Sequence, residues 1–224
     1  MDGSLRYDLT AALAEFLGTA YFLFMAGGGT TSIADYSISG IAVPFAFGWS
    51  LFVNIWIWSP ISGGILNPAI TIALTVTKNI SPIRGVLYII AEMLGALFGS
   101  YMIYVLLPDS ASCATVVASN VSTAQAFFLE LFATSVLTSA VFFLAVEKAG
   151  GFTAPFGVGM ALFISAIAIG PFTGASLNPA RTFGPSIVYN QYGTGYWVYY
   201  VGTILGGLLA AGYWKLFKIL DYKK

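Results

Sequence analysis

Histidine is absent from this chain, cysteine occurs once, and charged residues make up only 8% of it. Each shortage excludes something. Without histidine the commonest general base and metal ligand is missing, so hydrolytic and metal-assisted chemistry are poorly supplied. A lone Cys113 forms neither an intramolecular disulfide nor a thiolate metal cage. Nine basic residues balance nine acidic ones with no basic run, which argues against nucleic acid as a partner. Soluble domains are about a quarter charged. A chain that is 58% apolar has too few charges to face water over its whole surface. Its solvent is therefore mostly hydrocarbon. No enzyme activity, cofactor or metal site is expected.

What the chain does have is long apolar runs. A helix needs about 20 such residues to cross the bilayer core. Leu9–Gly29, Gly40–Trp58, Gly85–Leu107, Ala124–Val146, Phe152–Gly170 and Tyr196–Trp214 meet that need. The first follows Arg6, yet it contains Glu15 and exceeds a signal-peptide core of roughly 7–15 residues, so it reads as a retained span. Arg6, Lys78, Arg84, Lys148, Lys215, Lys218, Lys223 and Lys224 all fall on one side of a six-span arrangement. The positive-inside rule makes that side cytoplasmic, with both termini there and Asp35 and Asp109 outside. Arg181 alone breaks the pattern. Two further apolar stretches, Asn67–Thr77 and Asn178–Tyr189, are long enough for only about 15 Å of helix. They read as half-helices that dip in from opposite faces, with irregular backbone tolerated where it lines a watery cavity.

The chain repeats itself. Ile61-Ser62-Gly63-Gly64-Ile65-Leu66-Asn67-Pro68-Ala69 returns as Phe172-Thr173-Gly174-Ala175-Ser176-Leu177-Asn178-Pro179-Ala180, an offset of 111 between the asparagines. The same offset aligns Met93–Leu97 with Ile204–Leu208, while Glu15 and Glu130 sit in similar contexts near the start of each half. An odd number of spans per half inverts the second half in the membrane. The expected architecture is all-α: six transmembrane helices plus two half-helices in two inverted repeats. One channel domain covers residues 1–224, with halves near 1–115 and 116–224.

Asparagine is a strong N-cap and proline suits the first helical position, so Asn67-Pro68 and Asn178-Pro179 each start a half-helix. Each asparagine carbonyl accepts from its own helix and leaves its NH₂ free to donate into a lumen. The two helix N-termini bring about half a positive charge each, a barrier to cations. One copy of Asn-Pro-Ala would signify no more than a helix start. Two copies at matched depth in inverted repeats do not read that way. Ahead of them, Gly63, Gly64, Ile65, Leu66 and Gly174, Ala175, Ser176, Leu177 are expected to offer backbone carbonyls to the lumen.

The duplicated Asn-Pro-Ala, with Arg181 after the second copy, resembles the aquaporin and glycerol-facilitator family over nearly the whole chain. The resemblance implies a pore in each subunit of a homotetramer. It implies an outer constriction at Phe47, Ala166, Ala175 and Arg181, and glutamates Glu15 and Glu130 bracing the pore loops. Phe47 also fits a lipid-facing or packing role, and Ala166 and Ala175 fit ordinary small packing positions. The family's water channels usually carry histidine where Ala166 stands, which points to a wider aperture. Thr182, Ser186 and the Tyr199-Tyr200 pair resemble the water branch. Glu92 stands where the family leads one to expect a neutral amide, and only packing or an interface accounts for it. Cys113 is expected in an outer loop away from the constriction, and Asn120-Val121-Ser122 forms a glycosylation sequon there.

The function expected is passive passage of water with some leak of glycerol, urea, ammonia or hydrogen peroxide, excluding protons and cations. The partners are these solutes and the lipid bilayer, in a plasma or internal membrane. A solute facilitator, a coupled secondary transporter and a structural junction protein are the competing readings. The transporter would need an ionisable pair at the midplane, where two asparagines stand instead.

Overall fold

A computed structural model describes residues 3–33, 39–107 and 113–221, and these are helical with no strand. Asp35, Asp109, Lys223 and Lys224, used above to orient the chain, lie outside the described residues. The helices are α1 (Gly3–Ile33), α2 (Ser39–Trp58), α3 (Pro68–Val76), α4 (Pro82–Leu106), α5 (Thr123–Ala140), α6 (Ala154–Thr173), α7 (Pro179–Val188) and α8 (Val198–Ile219). Both expected half-helices form, as α3 and α7, capped at the expected asparagines.

Local signals set several boundaries. Ser81 accepts from the Arg84 N–H at 3.2 Å and Pro82 opens α4. Ser122 and Gln125 form a reciprocal capping box at the start of α5. Gly174, at φ 76°, ends α6 in the left-handed conformation that glycine adopts without strain. One feature departs from the expectation of a continuous fourth span. Its last part, Val141–Val146, widens into a π-helical turn that lays Phe142 on Trp214 of α8, ring centres 5.0 Å apart.

Five of the helices are long and apolar enough to cross a membrane. The sixth long helix, α8, has 22 residues or about 33 Å, but Tyr199, Tyr200, Gly206, Gly207, Trp214 and Lys215 lower its apolarity. In the register of the repeat Met93 of α4 corresponds to Ile204 of α8, so α8 occupies the same place in the second half. α1 packs on α4 as α5 packs on α8, α3 touches α8 as α7 touches α4, and α2 meets α6 across the halves. The molecule is thus six spanning helices and two half-helices in two inverted repeats.

Backbone contact between helices requires small residues, since lipid supplies no hydrophobic drive for helices to associate. A Cβ added at Gly95 would strike the Phe16 carbonyl oxygen of α1, and one at Gly206 would strike the Leu131 carbonyl oxygen of α5. These are matching crossings in the two halves. Large apolar side chains such as Leu13, Leu94, Phe128 and Ile164 face outward instead.

Gly95→Ala should therefore force α1 and α4 apart at a cost of about 1–3 kcal/mol. Thermal unfolding in detergent would read this as a lowered midpoint, and an unchanged midpoint would contradict the close crossing.

Candidate functional site

Both loops leading into the half-helices take the same unusual path. Gly64 and Leu66 have φ of 62° and 53°, and Ala175 and Leu177 have 49° and 54°. Gly64 also sits too close to Ile55 for a side chain, since an added Cβ would lie 3.1 Å from its Cα and carbonyl oxygen. Non-glycine residues in left-handed conformations are costly and persist only when the surroundings hold them. Two buried carboxylates do so. Glu15 accepts from the N–H groups of Ile65 and Leu66 at 3.0 and 2.6 Å. Glu130 accepts from Ser176 and Leu177 at 2.9 Å each. From the other side Tyr88 donates its hydroxyl to the Ser62 carbonyl at 2.7 Å, and Tyr199 does the same to Thr173 at 2.8 Å.

The asparagines join the two loops. Asn67 Oδ1 caps its own helix at Ala69 N (3.0 Å), and Asn178 Oδ1 caps Ala180 N (2.9 Å) and Arg181 N (3.3 Å). Asn67 Nδ2 donates to the Leu177 carbonyl, and Asn178 Nδ2 to the Leu66 carbonyl, each at 2.8 Å. This corrects the expectation that each NH₂ is wholly free: one of its two N–H groups is committed across the interface. For the same reason the Leu66 and Leu177 carbonyls are not simply open to a lumen.

Asn67, Asn178, Phe47 and Arg181 converge on a narrow cavity of about 40 Å³, also lined by Gly63, Gly64, Ile65 and Ser176. That is room for a few waters. Apolar walls come from residues including Leu51, Ile70, Val158 and Leu162. Leu66, Gly174, Ala175, Leu177 and Ala166 are not in this lining, although Ala166 and Ala175 belong to the same buried core as Phe47. Pro68, Ala69, Pro179 and Ala180 are buried in the first turns of α3 and α7.

Arg181 lies over the Phe47 ring, with its guanidinium carbon 4.5 Å from the centroid. Such a cation–π contact orients the planar group. Its Nη1 donates to the Cys113 carbonyl at 2.5 Å, while its buried Nε has no protein partner among the described residues. This overturns the expected remoteness of Cys113, whose carbonyl helps aim the cation. The loop bearing Cys113 folds back over the site, a consequence of tertiary packing rather than of sequence distance. The thiol itself packs toward Gly27 of α1, where an added Cβ would lie 2.9 Å from Sγ. Thr115 is a further residue that the sequence did not single out. It hydrogen-bonds Thr182 at 2.8 Å, and Thr182 donates to Ser176 at 2.7 Å. Tyr88 was likewise missed, and Tyr199 was read only as one of a water-branch pair, though their spacing of 111 carried the signal.

The family model described as major intrinsic protein matches residues 4–214. The chain belongs to the major intrinsic protein family, that of the aquaporins. Aquaporin-1 of Rhizophagus irregularis is 57% identical over 219 residues, covering 95% of this chain and 79% of that protein. Aquaporin-7 of Botryotinia fuckeliana is 39% identical over 234 residues, covering 97% of this chain. This chain spans about half of that second relative's length, 51%. A solved structure, the aquaglyceroporin from Plasmodium falciparum, superposes with a TM-score of 0.87 at 25% identity, covering 97% of this chain and 100% of that one. This major intrinsic protein is accordingly a multi-pass membrane channel and not an enzyme.

Burial pushes the Cys113 thiol up from its ordinary pKa, so little reactive thiolate exists near neutrality. Mercurials should modify the channel slowly at about pH 7 and faster toward about pH 9, and Cys113→Ser should abolish the modification. Rapid labelling at neutral pH would contradict the buried thiol.

Proposed function

We propose that this channel conducts water, with a secondary leak of small neutral solutes. The observation that carries the reading is the convergence of both capping asparagines and Arg181 on one narrow cavity with largely apolar walls. A water passing Asn67 and Asn178 accepts their remaining N–H groups through its oxygen, which turns its hydrogens outward and breaks a proton wire. The N-termini of α3 and α7 and the Arg181 charge repel hydronium and other cations. Glu15 and Glu130 hold the pore loops so that Gly63, Gly64, Ile65 and Ser176 border the file.

Phe47, Ala166, Ala175 and Arg181 form the outer constriction in this reading, and the two alanines make it wide. That width, with the likeness to a structure named an aquaglyceroporin, favours glycerol or a similar solute as the second reading. Thr182, Ser186 and Tyr199-Tyr200 favour water, as do the relatives named aquaporins. Coupled transport is disfavoured because, among the described residues, Arg181 is the one ionisable residue in the cavity lining. We place both termini on the cytoplasmic side and assign the chain to one channel domain that assembles as a homotetramer.

Proteoliposomes should shrink several-fold faster than empty vesicles under an osmotic gradient in stopped-flow. No gain would end the water reading, and a gain confined to a glycerol gradient would establish the second. Arg181→Val should raise proton leak by about tenfold, the equivalent of roughly 1.4 kcal/mol of lost repulsion, with water flux largely kept. A pH-sensitive dye trapped in the vesicles measures it, and an unchanged leak would remove Arg181 from the barrier.

A further inference from the structure

Glu92 of α4 is fully buried, and no element of the proposed pore uses it. One carboxyl oxygen accepts from the Thr71 hydroxyl of α3 at 2.7 Å. The other, Oε2, is buried with no hydrogen bond among the described residues, although the Asn67 backbone N–H also faces this carboxyl. The Glu92 carboxyl lies within hydrogen-bonding reach of Glu15, which is itself fully buried and already accepts two backbone N–H groups. Among the described residues neither carboxyl has an ion pair, and Arg84 of α4 is taken by Asp8. Two ionised carboxylates side by side inside a membrane protein, with no cation, are strongly unfavourable. A single proton shared between them removes one charge.

The second half lacks this arrangement. Its brace, Glu130, is completed by the Thr173 hydroxyl at 2.7 Å, and Thr203 stands 111 residues after Glu92. In the first half the counterpart of Thr173 is Ser62, whose hydroxyl lies within reach of both the Trp58 carbonyl, at 3.4 Å, and the Glu15 carboxylate.

We propose that Glu92 is a positioning residue held in its neutral form, donating its proton to Glu15 and thereby completing the brace on the Ile65–Leu66 backbone. Glu15 is the ionised partner because it faces the two N–H donors. Through Thr71 the same carboxyl grips α3, so one side chain ties the half-helix to the loop that precedes it. The Leu66 carbonyl that receives Asn178 is positioned from behind by this pair. The flux test below rests on the water-channel reading, but the spectroscopic one does not.

Infrared spectra of the protein in lipid at neutral pH should contain the carbonyl stretch of a protonated carboxyl, shifted in D₂O and lost in Glu92→Gln. Its absence from the wild type, or its survival in Glu92→Gln, would overturn the proposal whatever the channel conducts. Glu92→Gln keeps a donor for Glu15 and an acceptor for Thr71. Its water permeability should stay within about twofold of wild type, whereas Glu92→Leu, which has neither, should fall about fivefold. Equal permeability in the two variants would show that donation to Glu15 positions nothing. Should Glu92→Leu fail to fold, the infrared comparison still decides.

Discussion

Two hydrogen bonds where the half-helices meet hold the rest of this molecule in register: Asn67 to the Leu177 carbonyl and Asn178 to the Leu66 carbonyl. Each asparagine ends one half-helix with its oxygen and grips the opposite loop with its nitrogen. Neither half can complete its centre alone. The short helices α3 and α7 have nine and ten residues, too few to be stable in isolation. They persist because their N-termini meet, and because α4 and α8 pack along their sides.

That meeting requires backbone that is neither helix nor strand at membrane depth, which lipid does not tolerate unless its polar groups are satisfied. The answer is an array of buried acceptors and donors around each loop. Glu15 and Glu130 take the N–H groups, Tyr88 and Tyr199 supply a carbonyl with a donor, and the asparagines take another carbonyl. The constraint also explains the polarity of the fold. Ionisable and amide side chains collect in the interior, while leucine, phenylalanine and isoleucine coat the outside. Channel and scaffold are therefore one structure: the loops that these groups stabilise contribute Gly63, Gly64, Ile65, Asn67, Ser176 and Asn178 to the cavity wall.

Much of this was legible in the residue order. Asn-Pro at the start of each half-helix is a local signal, and the structure caps both helices at those asparagines. The offset of 111 announced the duplication and, with an odd number of spans per half, the inversion. Other features were not legible. The π-helical turn at Val141–Val146 carries Phe142 onto Trp214, 72 residues later, a contact that no local signal specifies. Cys113 gave no hint that its carbonyl accepts from Arg181, because an outer loop's path depends on what it packs against. The asparagine NH₂ groups seemed free until the opposite loop was in place.

Sequence by itself determined the solvent of this protein, the number and placement of its helices, and the caps that start its half-helices, since apolar length and local hydrogen bonding act over a few residues. Tertiary structure alone decided which carbonyl each amide grips, which cation lies over Phe47, and which carboxyls share a buried space. Those pairings join residues up to 112 positions apart, and nothing in local propensity specifies the partner of a polar group until packing has removed every other choice.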